Sequence, residues 1–392
     1  MVVKMLAALS SPRKCFMRGR SRVFFLALVA LLTLSLLGAC SGYKTFAVVA
    51  FIPTDEGAQA LAQSVKRGIE FSLSELNSRE GIHGRAINIR FYACAAEHEA
   101  AEKMFARAIR EFSPVLIFAV DELARILAPQ AEKKSIPLIG LSIADEDFTE
   151  GRQWVFRNAV THGEENRALL DTAAILGLRQ MSVIHNGSDE ARAFITLLEK
   201  KSEQENIRLR ITQQVYSEEG GIGAAIAAQL GAEALLFLDT SDILSDGLEH
   251  CKTLGYRGKI LSRNALFSKS LHGQFPAMSA YSSALVIYKR NFGSGKRVFD
   301  IFQVQYGEEM CIDAAFAYDT LILLSRVLPP GRINRSIVRD ALDAEFVYPS
   351  SFGIRFSLAG NHDFIPKLYP VLLSPDGTVE YLEEKLPGDV VF

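Results

Sequence analysis

Short apolar runs alternate with helical patterns from residue 46 to residue 261, and this alternation constrains the fold of the chain more than any other feature. The first apolar run, Phe46–Phe51, precedes the segment Ala58–Asn77, whose apolar residues recur at helical spacing. Repeated strand and helix patterns predict βαβ units and a parallel sheet, with helices on both faces. The sequence therefore predicts an α/β fold.

The alternation runs twice, once before and once after about residue 160, which predicts two similar lobes. The later predicted strands are Ile87–Tyr92, Val115–Val120, Ile136–Ile139, Ser182–His185, Ile211–Tyr216, Leu235–Leu238 and Lys259–Leu261. The later predicted helices are Ala100–Phe112, Leu123–Lys134, Glu190–Glu205, Ala224–Leu230, Leu244–Leu254, Ala314–Val327 and Ile333–Leu342. Strand patterns at Phe352–Phe356, Leu368–Leu373 and Thr378–Leu382 are separated by turn residues, which predicts hairpins that close the fold.

The N-terminal residues have the pattern of a secretory signal. Basic residues precede an uncharged apolar run, Val23–Leu37, and small residues lead to Cys40. This run is shorter than the roughly 18 to 20 apolar residues that span a bilayer comfortably. The Leu37-Gly38-Ala39-Cys40 ending resembles the lipobox of bacterial lipoproteins, which implies a signal peptide over residues 1–39 and a lipid on Cys40. An uncleaved anchor helix remains an alternative, as does a translation start at Met17.

Charge and cysteine content exclude several classes of protein. The formal net charge is −2, and no basic tract follows the signal, so we expect no nucleic-acid binding. The chain beyond the signal is long for one core and suits two domains. Besides Cys40 it holds three cysteines, which allow at most one disulfide among them, with Cys94–Cys311 as the suggested pair. The absence of a Cys-x-x-Cys motif leaves zinc ribbons and thioredoxin-like chemistry unsupported.

Motifs that resemble catalytic or phosphate-binding loops are incomplete. Gly140–Ala144 approaches a nucleophile elbow but lacks its last glycine, so Ser142 is better interpreted as a loop residue that contacts a ligand. Gly221-Ile222-Gly223 has Ile226 where a dinucleotide fingerprint needs glycine. No two of the seven histidines have metal-ligand spacing. We therefore expect a protein that binds rather than catalyses, with no cofactor and no metal.

One segment resembles a known family. Glu75–Arg85, followed by the strand Ile87–Phe91, resembles the Glu-Leu-Asn-x-x-Gly-Gly-Ile-x-Gly-Arg stretch of type I periplasmic binding proteins, in the leucine/isoleucine/valine-binding family of ABC-transporter receptors. Glu80 replaces the first glycine of that pair. Further segments resemble the same family, namely Ala131–Ile139, Phe148-Thr149 with Trp154–Arg157, Phe316–Asp319 and Ser351–Asp363.

The resemblance implies two Rossmann-like lobes with parallel central sheets, joined by three crossovers near residues 158–162, 285–289 and 358–366. Lobe one is then 45–158 plus 289–358, and lobe two is 159–288 plus 359–392. It also implies a function: a small molecule binds between the lobes, the hinge closes, and the closed form docks on an ABC permease. The protein is expected on the periplasmic or cell-surface side of the bacterial envelope, anchored to the membrane at Cys40. A regulator or sensor partner with this fold and a degenerate ligand site is the alternative.

The resemblance also places the ligand-binding positions. These are Leu61, Asp121, Glu122, Ser142, Ala144, Glu190, Asp239, Thr240, Asn264 and Asp313. Asp121-Glu122 stands where amino-acid receptors have a serine-rich loop, and Ala144 lacks the threonine hydroxyl. Asn264 replaces the carboxylate that holds a ligand ammonium. Because five of the positions are acidic, we expect a cationic or polyol-like ligand rather than a branched-chain amino acid. A solvated rim, or a register shifted by one or two residues, remains open for these acids.

Overall fold

The computed structural model describes residues 45–216, 221–238, 242–263, 278–284, 295–344, 347–349, 355–358, 362–365 and 368–382. The strands are β1 (Phe46–Pro53), β2 (Ile87–Cys94), β3 (Leu116–Val120), β4 (Leu138–Leu141), β5 (Val155–Asn158), β6 (Gln180–His185), β7 (Arg210–Val215), β8 (Ala234–Phe237), β9 (Lys259–Ser262), β10 (Ala280–Ala284), β11 (Val347–Pro349), β12 (Arg355–Leu358), β13 (Phe364–Ile365), β14 (Tyr369–Leu373) and β15 (Val379–Tyr381). The helices are α1 (Gln59–Ser78), α2 (His98–Phe112), α3 (Glu122–Lys133), α4 (His162–Ile175), α5 (Asp189–Gln204), α6 (Gly221–Ala227), α7 (Asp242–Thr253), α8 (Gly295–Tyr306), α9 (Ile312–Val327) and α10 (Arg335–Asp343).

The first large sheet has five parallel strands in the order β2-β1-β3-β4-β5. Successive side chains of a strand point to opposite faces, so β1 contributes to two cores. Val48 and Ala50 face the core that includes α1 and α9, whereas Val49 and Phe51 face the core that includes α2 and α3. All five residues of β3 are buried, as expected for a parallel strand covered by helices on both faces.

Helices α1 and α9 pack closely on one face of this sheet. A Cβ atom on Gly68 would lie 2.1 Å from the Ala314 carbonyl oxygen, so glycine is needed for this approach. The apolar run predicted as the helix Ala314–Val327 is α9, and nearly all of its side chains are buried. The Tyr318 hydroxyl donates to Glu75 Oε2 at 2.7 Å, which satisfies a polar atom carried into this interface.

The Glu75–Arg85 segment forms the helix end, turn and strand entry that its residues predict. The Asn77 side chain makes two hydrogen bonds with the backbone of Ile87, at 2.8 and 2.9 Å, which tie the end of α1 to the start of β2. Gly81 has a φ of +73°, and a Cβ atom there would lie 1.9 Å from the Arg85 carbonyl oxygen. A side chain would be strained at this position as well as crowded.

The second large sheet has seven strands in the order β15-β14-β10-β9-β8-β6-β7. The five from β10 to β7 are parallel, and the antiparallel hairpin β14–β15 extends the sheet beyond β10. Strands β11, β12 and β13 form a small antiparallel sheet. The expected α/β class with parallel sheets and closing hairpins is therefore confirmed.

The suggested disulfide Cys94–Cys311 is wrong. The three cysteines among the described residues are buried and form no disulfide. Cys94 ends β2 and faces the core beside α2 and α3, whereas Cys311 precedes α9 in the core on the opposite face of the same sheet. The sheet itself therefore separates the two thiols.

Candidate ligand-binding site

Each large sheet has one place where the strand order reverses. β1 lies between β2 and β3, and β6 lies between β7 and β8. In open α/β sheets, ligands bind beyond the carboxyl ends of the strands at such a point. Asp121 directly follows β3, and Glu190 lies in the first turn of α5, after β6. Arg263 directly follows β9 of the second sheet. These positions define the candidate site.

Asp121 is the most strongly perturbed acid at this site. Its φ and ψ are +52° and −129°, a backbone conformation that few non-glycine residues adopt. The pKa of its carboxyl group is raised to about 6, mainly by burial and less by the neighbouring carboxylates of Glu122, Glu190 and Asp145, against one backbone hydrogen bond that lowers it. Because Glu190 lies in the helix that follows β6 of the second sheet, its electrostatic effect on Asp121 indicates that the carboxyl ends of β3 and β6 are near each other.

Two other predicted ligand positions contact each other. Ser142 follows β4 with a φ of +58°, and its hydroxyl donates to Asp313 Oδ1 in the first turn of α9 at 3.2 Å. The contacts continue into the core, where the Ser64 hydroxyl lies 2.6 Å from Cys311 Sγ. The Ser142 hydroxyl is thus already engaged by a carboxylate of the protein.

The remaining predicted positions have different surroundings. Glu122 pairs with Arg125 one helical turn along α3, with Arg125 Nε 2.8 Å from Glu122 Oε2. The Ala144 carbonyl accepts from the His162 backbone N–H at 3.2 Å, which joins the loop after β4 to α4. Leu61 is partly buried on α1 and packs against the apolar core. The predicted residues Asp239, Thr240 and Asn264, like the lipidation site Cys40, lie outside the described residues.

An arginine that the sequence interpretation did not include organises the second-sheet side of the site. Arg263 Nε and Nη2 both donate to Glu165 Oε2, at 3.0 and 2.8 Å. Its Nη1 donates to Glu190 Oε1 at 3.2 Å, and Nη2 lies 3.2 Å from His162 Nδ1. The guanidinium carbon lies 4.8 Å from the centre of the Phe194 ring. The Arg263 side chain is 12% exposed, so these partners nearly enclose it.

The charges of this cluster stabilise each other. Burial alone would raise the pKa of Glu165, but the charge of Arg263 and hydrogen bonds from His162 and Arg263 lower it overall. Burial likewise opposes the charged form of Arg263, whereas Glu165 and Glu190 together raise its pKa. The cluster therefore holds a buried cation between two carboxylates, of which only Glu165 is itself buried.

This cluster was not predicted from the sequence, because the pattern of residues 162–175 does not indicate the helix α4. That helix is buried around most of its circumference, including Glu165 and Asn166, so it lacks an amphipathic stripe. One signal was present: Thr161 and Glu164 have the spacing of a capping box, and the Thr161 hydroxyl accepts from the Glu164 N–H at 3.1 Å. The strand β5 and the elements β10 and α8 were also not predicted.

Metal-binding clusters and membrane-spanning helices are the two further features considered for the described residues. Among the residues that the structure describes, no group of three histidine, cysteine or acidic side chains is placed to hold a metal ion. Within the same residues, no helix combines the length and apolarity that a membrane crossing needs.

Comparison with known proteins identifies the fold. No family model and no curated protein sequence matches the chain. Solved structures do match. The branched-chain amino acid transporter substrate-binding protein LivJ from Streptococcus pneumoniae, in complex with isoleucine, is 17% identical with a TM-score of 0.71, over 86% of this chain and 98% of that one. The leucine-, isoleucine-, valine-, threonine- and alanine-binding protein from Brucella ovis, in its closed conformation, is 13% identical with a TM-score of 0.73, over 87% and 95%.

A third similar structure binds a different class of compound. It is the solute-binding protein of an ABC transporter from Rhodopseudomonas palustris, in complex with 3,4-dihydroxybenzoic acid, at 14% identity and a TM-score of 0.71, over 86% of this chain and 95% of that one. Identities this low show the fold alone. The chain therefore has the type I periplasmic binding protein fold that the Glu75–Arg85 segment predicts.

Proposed function

We propose that this chain is an extracytoplasmic solute-binding protein, which captures a small polar molecule between two lobes and delivers it to an ABC-transporter permease. The observation that carries the proposal is the meeting of charged groups from both sheets. Asp121, after β3, lies within electrostatic reach of Glu190, and Glu190 pairs with Arg263 after β9. Such a set at the reversal points of two parallel sheets suits the capture of a polar ligand. The chain would act by binding, not by catalysis.

The proposed lobes are residues 45–158 plus 289–358, and 159–288 plus 359–392. A buried contact between the first and third proposed crossovers supports a hinge there. Arg157 at the end of β5 pairs with Asp363, and the Arg157 N–H donates to the His362 carbonyl at 3.0 Å. Closure of the two lobes around a solute would then be a rotation about this segment.

The ligand we propose is not a standard branched-chain amino acid. In the loop after β4, no side-chain hydroxyl is available for the α-carboxylate of such a ligand, because the Ser142 hydroxyl already donates to Asp313 and Ala144 has no hydroxyl. The three solved structures bind amino acids or an aromatic acid, according to their descriptions. A polar solute whose charges are arranged differently from those of a branched-chain amino acid fits the cluster of Asp121, Glu190 and Arg263 better.

A thermal-shift screen of the chain without residues 1–39 tests the proposal. We expect a saturable rise in Tm with at least one compound among amino acids, polyamines, amides, polyols and aromatic acids, because a ligand selective for the folded state stabilises it. Asp121→Asn should weaken that response, and the surface variant Asp189→Asn should not. A folded sample that responds to no compound in this library would contradict the proposal.

Anchoring through a lipid on Cys40 is a separate part of the proposal. It rests on the basic region, apolar run and Leu37–Cys40 ending of the sequence. Expression in a bacterial host with an alkyne-tagged fatty acid should label the wild type, whereas Cys40→Ala should remain unlabelled. Equal labelling of the two chains would contradict the anchor at Cys40.

A second function is favoured by one observation. Polar groups of the site are satisfied within the protein, Ser142 by Asp313 and Arg263 by two glutamates, as expected for a regulator or sensor partner that has lost its ligand. Affinity capture from the cell envelope distinguishes the two functions. Recovery of a permease supports the transport function, and recovery of an envelope synthase or a kinase supports the alternative.

A further inference from the structure

Arg263 has two carboxylate partners that differ sharply in exposure. The side chain of Glu165 is 7% exposed, whereas that of Glu190 is 65% exposed. Glu165 uses one oxygen to accept from Nε and Nη2, along one edge of the guanidinium. Glu190 accepts from Nη1, which lies at the outer end. An ion pair with one exposed partner contributes little to stability, so Glu190 can leave Arg263 at small cost.

The rest of the cluster fixes Arg263 independently of Glu190. The guanidinium stacks on Phe194, and its Nη2 contacts His162. The Arg263 carbonyl accepts from the Ser282 hydroxyl at 2.8 Å, which also holds the backbone. The planar donor group is therefore oriented before any ligand arrives, and its Nη1 remains directed at whichever carboxylate occupies the outer position.

The Glu190 carboxylate has the chemistry and position of a bound anion. It contacts the Arg263 guanidinium and lies within electrostatic reach of Asp121 of the other sheet. It therefore stands between the carboxyl ends of the two sheets, where the proposed ligand would bind. Its own helix, α5, begins with Ser188 as the N-cap and does not need the Glu190 contact to form.

We propose that Arg263 is a recognition site for a ligand carboxylate, and that the Glu190 side chain occupies this site in the unliganded protein. This inference rests on the proposed function and names the ligand class. The ligand is a monocarboxylate whose remainder is neutral or cationic, because Asp121, Asp145 and Glu122 would repel a second negative charge. Binding exchanges one carboxylate for another on Nη1, so Glu190 acts as a built-in competitor.

Acetate is the minimal probe of this site. In Glu190→Ala, calorimetric titration should show saturable acetate binding about three- to sixfold tighter than in the wild type, because the competing carboxylate is gone and an exposed pair competes only weakly. Asp189→Ala is the matched control, since it removes the adjacent carboxylate, which pairs with Arg192 and is fully exposed. The control should bind acetate no better than the wild type. Equal acetate affinity in all three proteins would overturn the proposal.

A second set of variants shows whether Arg263 is the residue that binds. Substitution of Arg263 alone would leave Glu165 buried without its partner, so Arg263→Gln is combined with Glu165→Gln in the Glu190→Ala background. This triple variant, verified as folded by circular dichroism, should lose the acetate response. Acetate binding that persists in the folded triple variant contradicts the assignment to Arg263. Succinate should bind Glu190→Ala more weakly than acetate, and tighter succinate binding contradicts the monocarboxylate class.

The outcomes separate this inference from the proposed function. If the wild type binds a compound of the thermal-shift library but Glu190→Ala does not bind acetate, the solute-binding function stands and the carboxylate site at Arg263 is excluded. Acetate binding by Glu190→Ala, together with a wild type that responds to no library compound, keeps the Arg263 site and removes the transport function.

Discussion

Two arginines lie at the carboxyl ends of strands, one in each large sheet, and their surroundings differ. Arg157 is the penultimate residue of β5, and its Nε and Nη2 donate to the two oxygens of Asp363 at 2.9 and 2.7 Å. Asp363 also accepts from the Thr149 hydroxyl at 3.1 Å, and Arg157 Nη1 donates to the Asp145 carbonyl. The side chains of this pair are 1% and 4% exposed, so its groups are enclosed by protein.

Arg263 also pairs with a buried carboxylate, but one end of its guanidinium contacts an exposed one. Its pair with Glu165 is nearly as buried, yet its outermost donor contacts a glutamate that is mostly in solvent. A fully enclosed ion pair fixes one arrangement, because breaking it leaves a buried charge. A pair with one exposed partner can exchange that partner. The comparison assigns Arg157 to the architecture of the proposed hinge and Arg263 to recognition.

The largest expected effect comes from breaking the enclosed pair. Asp363→Ala should lower the free energy of unfolding by about 3 to 5 kcal/mol, because the Arg157 cation stays buried without its carboxylate. Urea unfolding followed by circular dichroism measures the change. Asp189→Ala, which removes an exposed carboxylate, should leave the unfolding curve unchanged. A loss below about 1 kcal/mol would show that water enters around Arg157 and that the two arginines are alike.

The next effect concerns the buried partner of Arg263. Glu165→Gln should lower the free energy of unfolding at pH 7 by about 2 to 4 kcal/mol, since the buried guanidinium keeps only its exposed partner. The pKa of Glu165 is lowered in the folded state, so its stabilisation is complete above the unfolded pKa and is lost as pH falls through the folded one. The gap between wild type and variant should therefore narrow below about pH 4. A stability difference between wild type and Glu165→Gln that does not change with pH would contradict its assignment to the ionised Glu165 carboxylate.

Asp121→Asn should raise the free energy of unfolding, whereas the two preceding substitutions lower it. The carboxyl pKa is raised from 3.8 to about 6, so ionised Asp121 destabilises the folded state. The free energy of unfolding of the wild type should therefore fall as pH rises from about 4 to 6 and Asp121 ionises, whereas that of the variant should not. At pH 7 the variant should be more stable by about 1 to 2 kcal/mol, while near pH 4 the two should be equal. A variant less stable at pH 7 would contradict the expected desolvation of Asp121.

Much of the fold follows from sequence periodicity, because parallel strands and amphipathic helices have distinct repeats. The predicted strand Phe46–Phe51 and helix Ala58–Asn77 differ from β1 and α1 by at most two residues at either end. Helix α4 was missed because a helix buried on most sides has no polar face to set its period. Its residues meet partners about a hundred positions away, which no local pattern reports.

The site was predictable only in part. The family resemblance implies Asp121, Ser142 and Glu190 as ligand positions, and in the structure Asp121 and Glu190 lie within electrostatic reach of each other. The balance of charge was not predictable, because Arg263 changes it and its orientation depends on Glu165 and Phe194. The expectation of a cationic or polyol-like ligand counted five acidic positions without the arginine that pairs with one of them.

The smallest effect tests the contact across the site. Glu190→Gln should change the free energy of unfolding by at most about 1 kcal/mol, because the pair is exposed at one end. Its clearer consequence is electrostatic: removal of this negative charge should lower the pKa of Asp121 from about 6, by a small amount because burial is the larger cause. Carboxyl-carbon NMR titration, assigned with Asp121→Asn, measures the change. An unchanged pKa of Asp121 would show that the carboxyl ends of the two sheets are apart in solution. The carboxylate exchange at Arg263 would then take place in open solvent rather than on a ligand held between two lobes.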